Sequence, residues 1–504
     1  MRSLIVVLLL LATPLAADDV GRVAFANSGA ADAQEPFLRG LALLHNFEYD
    51  SAAEAFREAQ RRDASFAMAY WGEAMTYTHP IWFQQDAAAA RAVLQRLGAT
   101  ADERLAKAKT ERERDYLRTL DVLYGEGTKP ARDFLYADAI AALHARYPDD
   151  VDAAAFHALA LLGTAHEGRD FAIYMRAAAI LEEVLPAHPR HPGVLHYLIH
   201  SYDDPQHAPL GMRAARVYGA VAPNAGHALH MTSHIFIAMG MWDEVIDANR
   251  RAIEVVNRER AAKGKPPADC GHYPTWLHYG YLQQKRGDDA RKALDACRTA
   301  AFAQTARNWY EAYATMRAYH VASGFPLTAA DAVAMPDGAD YARARYTLAY
   351  GDVLAAAARA DTDAITRAVT QMRALQKDAL AAIAKEVTAA NPADRIAADV
   401  MEQEAEALLL VATNRRAVAI PILETAANAE RAMPLEFGPP VVPKPAAELL
   451  AEQLAAAERL PDAVAAYEAV LQRTPGRTVA VEGLRQLKTA GVKREPPAPH
   501  VHVH

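Results

Sequence analysis

The sequence predicts an all-α protein, on three observations. Ala-rich runs such as AAEAFREA (52–59) and ALAAIAKE (379–386) favour helix, β-branched stretches and Asn-Gly hairpin signals are scarce, and the pattern recurs at the length of a helix pair. A chain of 504 residues with 52% apolar content can bury a substantial core, and two cysteines are too few for a disulfide scaffold. The 54 Lys and Arg against 62 Asp and Glu leave a mild, interspersed net charge of −8. No basic face emerges, so nucleic acid is not an expected partner.

The first element is MRSLIVVLLLLATPLAADDV: one basic residue, an apolar run from Leu4 to Leu11, a break at Pro14 and small residues at Ala16 and Ala17. This order fits a secretory signal peptide over 1–17, followed by a leader over 18–34. The run is too short to span a bilayer, and no later stretch is long and apolar enough. A soluble periplasmic or secreted protein is expected. In that setting Cys270 and Cys297 are either one bridge or two buried thiols.

The body of the chain is periodic. Gly40, Ala52, Phe56 and Ala59 follow one another at offsets of 12, 4 and 3, and Ala451, Ala463, Tyr467 and Val470 repeat that spacing before Pro475. These windows resemble the tetratricopeptide repeat, a 34-residue pair of antiparallel helices. The resemblance implies a right-handed helical-hairpin solenoid. It makes Gly40 or Ala451 the close-contact position, Ala52 or Ala463 its partner, Phe56 or Tyr467 the packing aromatic, and Pro475 the turn proline. Gly240 and Ala252 keep the 12-residue offset in a weaker copy, and Gly280 marks another. Residues 35–326 are therefore read as a solenoid with a His-rich centre, 327–436 as degenerate helical repeats and 446–490 as a last repeat. Between them FGPPVVPKP (437–445) carries four prolines and is not helical. Residues 491–504 form a tail expected to be disordered, whose histidines are at most an adventitious chelator.

Ten of the 19 histidines fall between His157 and His234. His196 and His200 are four apart, as are His230 and His234, which places each pair on one helix face. The pairs are separated by 34 residues, one repeat period. Equivalent positions on neighbouring first helices lie about 8–10 Å apart, near enough for four imidazoles to converge on one zinc or copper ion. Asp203, Asp204 and His227 are candidates for further ligands or for acceptors that fix the imidazole tautomers. Metal binding, metal-free contact with a bound peptide and plain packing all fit this pattern. Met231, Met239 and Met241 suit a softer ion but also read as core filler.

His79, Trp82, Tyr197, His272, Trp276 and His278 combine imidazole with aromatic surface and suit an amphipathic groove wall. His166 and Glu167 lack the second histidine of a zinc-protease helix. No GxSxG elbow or phosphate-binding glycine loop is present. The sequence thus points to an exported repeat protein that binds a peptide or protein in its concave groove, or to a metal-binding protein, with enzymatic activity left open.

Overall fold

The computed structural model describes residues 19–385, 392–489 and 491. The expected signal peptide and the histidines of the tail lie outside them. Twenty-three α-helices occur among the described residues, against one two-residue antiparallel hairpin, β1 (Thr78–His79) and β2 (Gln84–Gln85).

Successive helices pack as pairs joined by short connections. α1 (Gln34–His45) packs on α2 (Tyr49–Arg62), and α3 (Ala67–Met75) on α4 (Ala87–Leu97); the short α5 (Ala101–Lys107) leads into α6 (Glu111–Leu123) and α7 (Lys129–Arg146). The pairs α8 (Val151–Leu162) and α9 (Phe171–Val184), α10 (Pro192–Tyr202) and α11 (Ala208–Val221), α12 (Gly226–Ala238) and α13 (Trp242–Ala262), and α14 (His272–Gln283) and α15 (Gly287–Gln304) make the centre. α16 (Arg307–Ala322) is followed by an irregular stretch in place of a second helix. α17 (Ala342–Ala358), α18 (Thr362–Lys385), α19 (Pro392–Ala412), α20 (Arg416–Ala432), α21 (Ala446–Ala456), α22 (Leu460–Arg473) and α23 (Thr478–Thr489) complete the chain. The protein is a tetratricopeptide-like all-α solenoid.

Repeat positions explain the pairing. Ala52, Phe56 and Ala59 are fully buried on α2, and a Cβ at Gly40 would crowd the Phe56 ring. Ala451, Ala463, Tyr467 and Val470 are buried in the same way. First helices touch their successors, α8 with α10 and α10 with α12, which sets them side by side on the inner face.

Two long-range contacts curl the solenoid onto itself. α1 crosses onto α10, where Gly193 allows it: a Cβ there would overlap Nδ1 of His45. At the other end the buried Arg477 pairs with Glu448 and donates from Nη1 to the Tyr279 hydroxyl at 3.1 Å, while Trp242 Nε1 donates to the Gly476 carbonyl at 3.1 Å. The segment 437–445 is drawn across the inner face, held by the Tyr319 hydroxyl donating to Pro440 O at 2.7 Å. No helix among the described residues is long and apolar enough to cross a membrane.

Candidate functional site

The inner face is filled by histidines. α10 begins where His191 accepts from the Val194 amide and Pro192 takes the first helical turn, so His196 and His200 project from its second and third turns. α12 has no side-chain cap of its own. Glu48, just past α1, accepts from the His227 amide at 2.9 Å and supplies an acceptor at that helix N-terminus. Burial pushes the Glu48 carboxyl up to about 7. α14 starts at His272, two residues after Cys270, which is bridged to Cys297 of α15.

The structure divides the four register-matched histidines between two groups and adds a third member to each. His196, His200 and His227 bring one nitrogen apiece within 4.8 Å of the others; His230, His234 and His272 do the same. In the first group Nε2 of every ring is buried and has no hydrogen-bond partner among the described residues. Their Nδ1 atoms are engaged. His196 donates to the His45 carbonyl at 2.6 Å, His200 faces Asp203 Oδ2 at 3.3 Å, and His227 faces the Tyr273 hydroxyl at 3.3 Å. In the second group His230 Nε2 lies 3.2 Å from His234 Nε2 and 2.9 Å from His272 Nε2. His272 is the exposed member, at the mouth; the others are buried.

Burial holds the rings of His196, His227, His230 and His234 neutral. It carries His196, His227 and His230 well below the ordinary imidazole range, with neighbouring histidines adding to the effect. His234 falls to about 4, less far because Asp203 opposes the shift. Burial alone would raise Asp203, yet Arg169 and the hydrogen bonds from His200 and His234 hold its carboxyl well below the usual range. Neutral imidazole and an ionised acceptor behind it are the states a metal site uses.

Asp203 thus stands behind the imidazoles of His200 and His234. Asp204 does not: it turns to Arg169 at 3.4 Å and to His207 at 2.9 Å. Of the expected groove wall, Trp82 and Trp276 do flank the histidines. Trp82 meets His227 edge-on at 5.8 Å, and Trp276 stacks on His234 at 4.7 Å. His272 joins the second group. His79 stacks on Tyr49, Tyr197 is buried against His45, and His278 turns to His320; these three enter neither group. Met231 is core, as its alternative reading had it.

Several contributors escaped the sequence reading. Phe437 stacks on His234 at 4.8 Å and meets His200 at 6.0 Å, so the proline-rich segment roofs both groups. Trp82 and Phe437 also line a cleft of about 230 Å³ that opens beside them. Asn249 and Tyr273 orient His230 and His227. A separate cluster, His45, Asp152 and His191, is only partly satisfied: His45 Nε2 donates to Asp152 at 2.9 Å and the Tyr197 hydroxyl donates to His45 Nδ1 at 3.0 Å, while Asp152 Oδ2 and His191 Nε2 are buried without a hydrogen-bond partner among the described residues.

No protein-family model and no curated protein sequence matches the chain. Among solved structures, the Cut9–Hcn1 hetero-tetramer of APC/C is 14% identical, covers 92% of this chain and 78% of that one, and superposes with a TM-score of 0.36. Yeast Tom70 is 11% identical over 91% of this chain and 96% of its own, with a TM-score of 0.33. Likeness at this level carries no argument about function, and the repeat architecture rests on the helix pairs themselves.

Proposed function

We propose that this is a metal-binding solenoid protein that holds a zinc or copper ion on its inner face through His196, His200 and His227. One observation carries the reading: three buried Nε2 atoms without partners, on rings whose nitrogens gather within 4.8 Å. Leaving such buried nitrogens unpaired costs about 1–3 kcal/mol each, which a coordinated cation removes. An all-imidazole donor set suits zinc or copper rather than magnesium or calcium. Three protein ligands also leave a position for water or substrate, the arrangement of catalytic zinc sites rather than closed structural ones.

Export to the periplasm or beyond belongs to the same reading. It is supported by the leader-like N-terminus and by the Cys270–Cys297 bridge, which persists in oxidising compartments.

The test is elemental analysis of untagged protein with His500, His502 and His504 replaced by alanine, beside the same protein carrying His196→Ala and His227→Ala. The expected result is zinc or copper that survives dialysis in the first and is lost from the second, which keeps its helical circular dichroism. No metal in either after reconstitution would overturn the reading.

A peptide or protein partner is the second reading, and a specific feature relocates it. The centre of the inner face is filled by histidines and roofed by Phe437, whereas a cleft of about 450 Å³ opens along α20, α21 and α22, lined by the apolar Ala427, Leu450, Leu454 and Ala466 and by Arg431 and Arg473. Crosslinking in cells from a photoreactive residue at the exposed position 431 checks it; the absence of any protein adduct counts against it.

A further inference from the structure

The second histidine group contains a conflict that a second cation resolves. Asn249 Nδ2 donates to the Val245 carbonyl at 2.8 Å, so Oδ1 is the atom that faces His230. That oxygen only accepts, and the 2.7 Å contact therefore requires Nδ1 of His230 to carry its hydrogen. Nε2 of His230 is then a bare lone pair. Asp203 imposes the same tautomer on His234, accepting from its Nδ1 at 2.9 Å. Two lone pairs consequently face each other across 3.2 Å. His272 stands 2.9 Å from the same His230 nitrogen; a hydrogen on its Nε2 satisfies that contact and leaves the contact between His230 and His234 repulsive.

We propose that His230, His234 and His272 hold a second first-row transition ion, and that this ion and the one at His196, His200 and His227 form a two-ion centre. The inference rests on the reading of the first site and extends it. The groups adjoin: the His200 and His234 rings lie 5.5 Å apart, the His227 and His230 rings 6.0 Å apart. Asp203 Oδ2 faces Nδ1 of a ligand from each, so a single carboxylate sets the tautomer on both sides. That carboxylate sits behind the rings, leaving six imidazoles as the donors. Such a set is one for copper or zinc, rather than for the carboxylate-bridged iron or manganese pairs of helical bundles.

The experiment is metal stoichiometry on the full chain with the three tail histidines replaced, loaded separately with Zn(II) and with Cu(I) and dialysed. Two double variants accompany it, His230→Gln with His272→Gln and His196→Gln with His227→Gln. Two equivalents in the parent and one in each variant are expected. One equivalent that is kept by the first variant and lost by the second leaves the first site standing and overturns the two-ion centre. One equivalent lost from both also overturns it, since a single shared ion explains that result. No metal at all removes both readings. If a variant fails to fold, the unmutated ligand set still decides through Cd(II): two ¹¹³Cd resonances are expected, and a single one overturns the proposal. An imidazolium on His230, seen by ¹⁵N chemical shift in protein that takes up no second ion, would name a proton as the resolving cation and overturn it as well.

Discussion

Asp203 Oδ2 accepts from Nδ1 of His234 at 2.9 Å although the two residues belong to different helix pairs. The same oxygen faces Nδ1 of His200 at 3.3 Å, and the other carboxylate oxygen is paired with the buried Arg169. One ionised group therefore orients imidazoles on α10 and α12 together and is itself neutralised by a guanidinium.

Replacing that carboxylate has two expected effects. In Asp203→Asn, Arg169 loses its strongest partner in the interior, a change that costs about 3–5 kcal/mol when a buried pair is broken. Metal affinity falls by about 10- to 100-fold because the ligands lose their orienting acceptor. Urea unfolding and chelator competition measure the two separately.

Gly193→Ala tests the contact between α1 and α10. The added Cβ overlaps His45 Nδ1, so the helices must separate and the His45–Asp152–His191 cluster must shift. A loss of about 1–3 kcal/mol is expected in denaturant unfolding, together with weaker metal retention, because the His45 carbonyl orients His196.

The Cys270–Cys297 bridge closes a separation of 27 residues and anchors the chain two residues before His272, the first residue of α14. Cys270→Ser with Cys297→Ser is expected to lower stability by about 3 kcal/mol. Unfolding of the parent with and without dithiothreitol should show the same difference. His272, already the exposed one of the six candidate ligands, should gain the most reactivity towards diethyl pyrocarbonate when the bridge is removed.

Glu430 gives a pH dependence away from the histidines. Burial raises its carboxyl from 4.5 to about 7, against the Ala446 amide that donates to it and against Arg473 and Arg477; Glu448 adds to the rise. The folded state binds this proton more tightly than the unfolded state does. Its contribution is fully present below about pH 4.5 and is lost as pH rises through about 7. Glu430→Gln should shallow the slope by this one group's share, since Glu48 and Glu436 are also raised to about 7, and exceed the parent in stability at pH 8 by about 1–3 kcal/mol. Thermal unfolding of both proteins from pH 5 to 8 checks the sign.

Part of the site was legible in the sequence because it obeys the repeat. His196 with His200, and His230 with His234, share the 34-residue register that places α10 and α12 side by side, and Asp203 and His227 stand beside them in sequence. His272 could be named only as a groove residue, since it follows His230 by 42 positions. The long α13, Trp242–Ala262, and the loop after it stretch that interval beyond one period. The orienting groups on His45, Asn249 and Tyr273 had no signal at all, because any carbonyl, amide or hydroxyl can fill such a role and only proximity selects it.

Local rules thus determined the helices, their pairing and the face on which each histidine pair stands, for these follow from propensity, small-residue spacing and a 3.6-residue turn. The tertiary structure decided how those faces close. Curvature accumulated over successive pairs carries α1 onto α10 and brings Phe437 over His200 and His234 from far along the chain. It also separates four equivalent histidines into two groups of three. Convergence of imidazole nitrogens to within a few ångströms depends on that summed curvature, and no single repeat encodes it.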